Sequence, residues 1–317
     1  MIRSVTQKIL NKFDGWLFTG CHPLTCSLMR VAYASVLLIY LWLLGGELEY
    51  WFTDAGVLTS QTAQATMTGD YRSLLFQLPS DLPTVTICWW VMFVQALLLL
   101  LGVLSRFQVA CLFVWLVSFQ HRNMLIFDGQ DTLLRMLTFA MIFMPLDTAW
   151  SLGRWLRVRF YPPAAGRVAR ATSGEGLGLP SAWALRLVQL ELTFLYLSTA
   201  WEKLQGQTWR DGTALFYVSR MEDLYGRFAL PELLFQTPWI LTTMTWGVLA
   251  LEALIPLALW WRPTRRWAVL AAICLHLSIE LTMHIFLFEW LMIVGLLSFV
   301  SPLTTEDVVG RAKTARD

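Results

Sequence analysis

The feature that most limits what this chain can become is a series of long apolar stretches separated by short polar ones. A bilayer's hydrocarbon core takes about 20 apolar residues per helix. Residues 25–44, 83–104, 107–127, 132–150, 183–203, 238–261, 267–283 and 285–301 each come near that requirement. The last two form one continuous apolar run, too long for a single straight span, and we divide it at Met283-His284-Ile285. The expectation is an all-α fold: a polytopic membrane helical bundle of about eight transmembrane helices. Composition agrees, because the 317 residues are 56% hydrophobic and only 15% charged. A soluble domain carries about 25% charged residues, so two soluble domains are excluded. A net charge of +2 with scattered Arg makes no stripe for nucleic acid, and no nucleic-acid partner is expected.

Orientation follows from the basic residues between spans. Lys8 and Lys12, Arg106, the group from Arg154 to Arg170, Arg262 to Arg266, and Arg311 to Arg316 all fall on one side of an eight-helix map. The opposite loops carry Glu47, Glu49, Asp54, Asp70 and Asp81, and a charge-balanced set from Arg210 to Glu232. Both termini are therefore expected in the cytoplasm, with the chain a multi-pass protein of a bacterial inner membrane. Residues 1–20 read as an amphipathic cytoplasmic segment with no cleavable signal, 21–302 as the membrane domain, and 303–317 as a cytoplasmic tail. Residues 162–180, rich in Pro, Gly and small side chains, read as a flexible linker between two halves of four helices. Cys21, His22 and Cys26 match no standard zinc spacing, so neither a metal nor a structural disulfide is expected.

Ionisable groups inside a span cost at least about 2.5 kcal/mol on insertion scales, so each needs a partner, a wet cavity or a role. Those inside the expected spans are Arg30, Arg135, Arg186, Glu191, Glu202, Lys203, Glu252, His276, Glu280, His284 and Glu289. Arg30 and Arg186 lie near span ends, where snorkelling to headgroups accounts for them. Arg135 sits four residues after Asp131, a spacing that suits a salt bridge. Asp131 and Thr132 read as a helix N-cap and its first turn, close to His121, Arg122 and Asn123. In WEKLQGQTWRDG, Lys203 shares a helical face with Tyr196 and Thr199, while Glu202 falls on the next face. Lys203 is either an interfacial lysine beside Glu202, with Trp209 as belt aromatic, or a base in a low-dielectric pocket. His276, Glu280 and His284 are spaced by four and share a face if the helix continues, as a proton relay or as packing.

Three segments resemble the HTTM membrane domain shared with vitamin K-dependent γ-glutamyl carboxylases: ELEYWFTDAGVLTSQ (47–61), HRNMLIFDGQDTLLRML (121–137) and FLYLSTAWEKLQGQTWRDGTALFY (194–217). CLHLSIELTMHIFLFEWLMIV, in the last apolar run, is a weaker fourth match. The resemblance implies a lysine base at Lys203 that engages a reduced quinone and oxygen, and a functional histidine at His276. Where the carboxylases have an Asn-His pair, this chain has Gln130-Asp131.

Two functional classes follow. One is a membrane enzyme using a quinone or hydroquinone of vitamin K type, acting on a secreted peptide or small substrate at the outer face. Its candidate catalytic residues are Lys203, His276 and Asp131. Its candidate substrate- or cofactor-binding residues are Arg122, Asn123, Arg135, Tyr196, Glu202, Trp209, Asp211, Glu280 and His284. The other is a non-catalytic membrane partner: a peptide-maturation or immunity factor, a transporter or a lipid-binding scaffold.

Overall fold

The structure, a computed structural model, describes residues 2–18, 23–66, 73–160, 182–221, 225–228, 230–285 and 287–300. Cys21, His22, the 162–180 linker and the 303–317 tail lie outside the described residues. Among the described residues the regular elements are helical, and extended pairing is confined to the bridge between Tyr225 and Met283.

The helices are α1 (Ile2–Phe18), α2 (Pro23–Gly45), α3 (Leu48–Phe52), α4 (Ser60–Thr66), α5 (Leu82–Leu101), α6 (Ser105–Arg122), α7 (Gly129–Ile142) and α8 (Leu152–Phe160). They continue with α9 (Trp183–Gln205), α10 (Gln207–Arg210), α11 (Ala214–Val218), α12 (Leu233–Gln236), α13 (Pro238–Trp260), α14 (Arg265–Thr282) and α15 (Phe288–Leu296). Residues 24–45, 82–101 and 238–260 have the length and hydropathy to cross a bilayer. Apolar side chains such as Trp42, Ile87, Leu254 and Leu257 face outward on them, which suits contact with lipid tails rather than water.

Local chemistry sets the ends. Asp81 caps α5 by accepting the Thr84 N–H at 3.0 Å, and Pro83 sits in the first turn, where its missing N–H costs nothing. The hydrogen bonds from Thr84 hold the exposed Asp81 carboxyl below the usual carboxylate range. Gly102 ends the helix at φ +72°, and a Cβ there would meet the Arg30 guanidinium.

Two expected spans come out shorter. In place of 132–150, α7 has 14 residues and stops at Ile142, followed by Pro145. In place of 285–301, α15 has nine residues, extended by a 3-10 turn at Leu297–Phe299. At 1.5 Å per residue α7 is about 21 Å long, less than the ~30 Å hydrocarbon core. Both are apolar because they lie inside the bundle. Helices α2, α5, α6 and α7 pack in chain order, α9, α13, α14 and α15 form a second group, and α15 also touches α2 and α7.

Arg30 does not snorkel. Its side chain is 0% exposed and bonds the carbonyls of Leu146 and Trp150 and the Asp147 carboxylate. Asp147 also accepts from the Ser105 N–H and hydroxyl, so one buried guanidinium ties α2 to the start of α6 and to the chain after α7.

Candidate functional site

Helix α9 shows how the sequence aims a polar face inward. Phe194 and Trp201, seven residues apart, are 69% and 65% exposed. Tyr196, Thr199 and Lys203, about 140–200° further round by the helical step, line a cavity of about 630 Å³. That volume lies within the range of small-molecule sites. Most of the wall is apolar, from Leu195, Leu215, Val218, Phe235, Met244, Val248, Leu275, Ile279, Phe288 and Met292.

Two polar clusters interrupt this wall. In the first, Lys203 Nζ donates to Glu252 Oε1 of α13 and lies 4.8 Å from the centre of the Trp209 ring. The side chains are 26% and 9% exposed, so this is a largely desolvated pair. Glu252 Oε2 is buried with no hydrogen-bond partner among the described residues. Pro256 has no N–H to offer the Glu252 carbonyl, so α13 lacks one internal bond beside the site.

The second cluster joins three helices. His276 Nε2 on α14 is 2.5 Å from the Tyr196 hydroxyl, and His276 Nδ1 bonds Glu289 Oε2 in the first turn of α15. With Glu289 as a carboxylate, Nδ1–H donates to it, Nε2 accepts from Tyr196, and the Tyr196 oxygen keeps its lone pairs free. A carboxylate that fixes a histidine tautomer in this way makes the attached hydroxyl a competent proton carrier.

The other expected site residues separate. Asp131 is not the N-cap of α7: Asp128 is, and Asp131 is the third helical residue of a reciprocal capping box. It lines a smaller, adjacent cavity with Asn123, while Asp128, Gly129 and Gln130 line the large one. Arg135 makes no ion pair with Asp131 among the described residues. Its guanidinium stacks on Phe127 and contacts His121 Nε2 at 3.4 Å. Glu202 is exposed and leaves Lys203 to Glu252. Glu280 pairs instead with Arg227, and His284 is exposed because α14 ends at Thr282, which breaks the i+4 stripe.

Arg122 and Asn123 act as a staple. Arg122 bonds the Leu58 carbonyl at 3.0 Å and Asp54 at 3.2 Å, and Asn123 Nδ2 donates to the Trp51 carbonyl at 2.9 Å. The WFTDAGVL and HRN motifs are thus two sides of one buried junction. Asp211 accepts the Thr213 N–H at 3.2 Å. Gly212, at φ +78°, lies so close to α13 that a Cβ would be 2.6 Å from Thr242 Cγ2. Gly212→Ala should therefore lower stability by about 1–3 kcal/mol, read as a fall in apparent Tm in a fixed detergent; an unchanged Tm overturns this reading of the turn.

Glu252, Glu289 and Arg227 are partners that spacing did not single out. Glu252 had a signal, since it is the one ionisable residue in the 23-residue α13 and buried charge in a span needs compensation.

A polar site enclosed by apolar membrane-type helices defines the class: an α-helical membrane protein with an internal ligand-sized cavity. The model of the HTTM domain matches residues 53–303, and the chain belongs to that family. Neither a curated protein nor a solved structure matches it.

Proposed function

We propose that the chain is a membrane enzyme of the vitamin K-dependent carboxylase-like class, which uses a reduced quinone in the large cavity to act on a secreted peptide or small substrate. The observation that carries this reading is the Lys203–Glu252 pair set in an otherwise apolar cavity of about 630 Å³. A quinone fits the chemistry of that lining: apolar walls suit the ring and tail, Lys203 offers N–H donors, and Glu252 Oε2 is a buried acceptor without a partner. When bound, a reduced quinone supplies electrons to oxygen.

The chain's own residues do the rest. Lys203 and Glu252 hold and exchange a proton between Nζ and Oε1, in a low-dielectric setting where its position responds strongly to neighbouring charge. Tyr196 takes or gives a proton at its hydroxyl, backed by His276 and Glu289. In this reading eight membrane segments, two of them short, place both termini in the cytoplasm of a bacterial cell. The cavity then opens toward the outer leaflet, and Lys203, His276, Tyr196 and Trp209 form the working site. Asp131, Arg122 and Asn123 support the neighbouring wall.

Purified protein in nanodiscs, given menadiol and air, tests the proposal. Oxygen uptake above a protein-free control, together with quinone recovered by solvent extraction of the protein, is expected. Absence of both overturns the quinone reading, and binding without uptake favours the lipid-binding scaffold.

A further inference from the structure

A second cavity of about 210 Å³ shares Gln130 with the first. Aromatic rings, including Tyr40, Trp51 and Phe119, form much of its wall, Asp131 and Glu47 are its charged residues, and no Lys, Arg or His lines it. Asp131 is buried and accepts from Tyr40 at 3.0 Å and Gln120 at 3.3 Å, yet no cation pairs with it among the described residues. The Gln120 amide nitrogen is committed to the Asp131 carbonyl and carboxylate, which fixes the orientation of the amide. Its oxygen, on a side chain only 5% exposed, is buried without a partner among the described residues, and so is the Gln130 amide oxygen. The cavity is therefore rich in acceptors, negative and lined by aromatic side chains.

We infer that this second cavity binds a primary ammonium group, such as a peptide amino terminus or a lysine side chain. Three N–H donors answer Asp131 and the two unpartnered amide oxygens, and the rings favour a cation. A quaternary ammonium would satisfy the rings but leave both amide oxygens unpaired. A carboxylate would meet Asp131 with no positive group among the described lining residues to offset it. The inference stands apart from quinone chemistry, because it needs no turnover at Lys203.

Isothermal titration of the protein in nanodiscs with n-butylammonium tests it, with tetramethylammonium and butyrate as comparison probes. Saturable binding of n-butylammonium, at least about tenfold tighter than either comparison, is expected. Asp131→Asn and Gln120→Leu should each weaken it about tenfold or more. Asp131 also accepts the Asp128 N–H, so Gln120→Leu, which keeps that cap, reads the site even where Asp131→Asn fails to fold. Absence of saturable binding, undiminished binding in Gln120→Leu, or equal binding of butyrate would each overturn the assignment.

Discussion

Replacing Lys203 with Met is expected to lower menadiol-dependent oxygen uptake by about 10²–10⁴-fold, the range removed with a positioned acid–base group. The same change strips Glu252 of its cation. Because that carboxylate is only 9% exposed, the variant should also lose about 3–5 kcal/mol of stability. Activity and folding would then fall together, and a single variant would not separate them. The double variant Lys203→Met/Glu252→Gln does: it removes both charges, so most of the stability should return while activity stays low. Glu252→Gln alone leaves an ammonium whose side chain is 26% exposed and stacked near Trp209, and should cost less stability than Lys203→Met. Oxygen uptake measured beside apparent Tm in one nanodisc preparation gives the comparison. If uptake returns along with stability in the double variant, Lys203 is a structural lysine and the enzymatic reading fails.

What could be read from the sequence follows from the range of the forces involved. Helices α2, α5, α9, α13 and α14 lie close to their expected bounds, because a long apolar run has few alternatives to a helix when backbone groups must be satisfied internally. Helices α7 and α15 came out shorter, since a segment buried by its neighbours is as apolar as one that crosses the bilayer. The division expected from the length of the apolar run falls after Thr282, and its effect is to expose His284 and send Glu280 to Arg227. The shared face of Tyr196, Thr199 and Lys203 was legible from the helical step alone. Their partners were not, because Glu252 and His276 reach them from other helices. Glu202 looked like the natural partner of Lys203 only by chain adjacency, and neighbouring residues on a helix point about 100° apart. The junction made by Arg122 and Asn123 was not legible, because the loop they staple, Trp51 to Leu58, lies more than 60 positions upstream.

His276→Leu should be the most destabilising single change in the Tyr196–His276–Glu289 chain. Glu289 is 3% exposed and the Tyr196 hydroxyl is buried, so removing the imidazole leaves one carboxylate and one hydroxyl without the group that joins them. An orphaned buried charge costs about 3–5 kcal/mol and an orphaned hydroxyl about 1–3 kcal/mol, although a protonated Glu289 would recover part of the first. A fall in apparent Tm on the order of 10 °C is expected. The diagnostic step is the second substitution. Adding Glu289→Leu removes the stranded carboxylate and should restore much of the Tm, since replacing a buried polar pair by apolar side chains is often neutral. Tyr196→Phe alone should cost less, about 1–3 kcal/mol for the His276 Nε2 it leaves unpaired, because His276 keeps its bond to Glu289. The two classes of function then part on activity. In an enzyme, Tyr196→Phe slows turnover by removing the proton carrier that faces the cavity; in a scaffold, the apolar cavity is preserved and ligand retention stays at the wild-type level. A His276→Leu protein as stable as the wild type would show that Glu289 is not held by His276, and the proton path from Tyr196 would have to be abandoned.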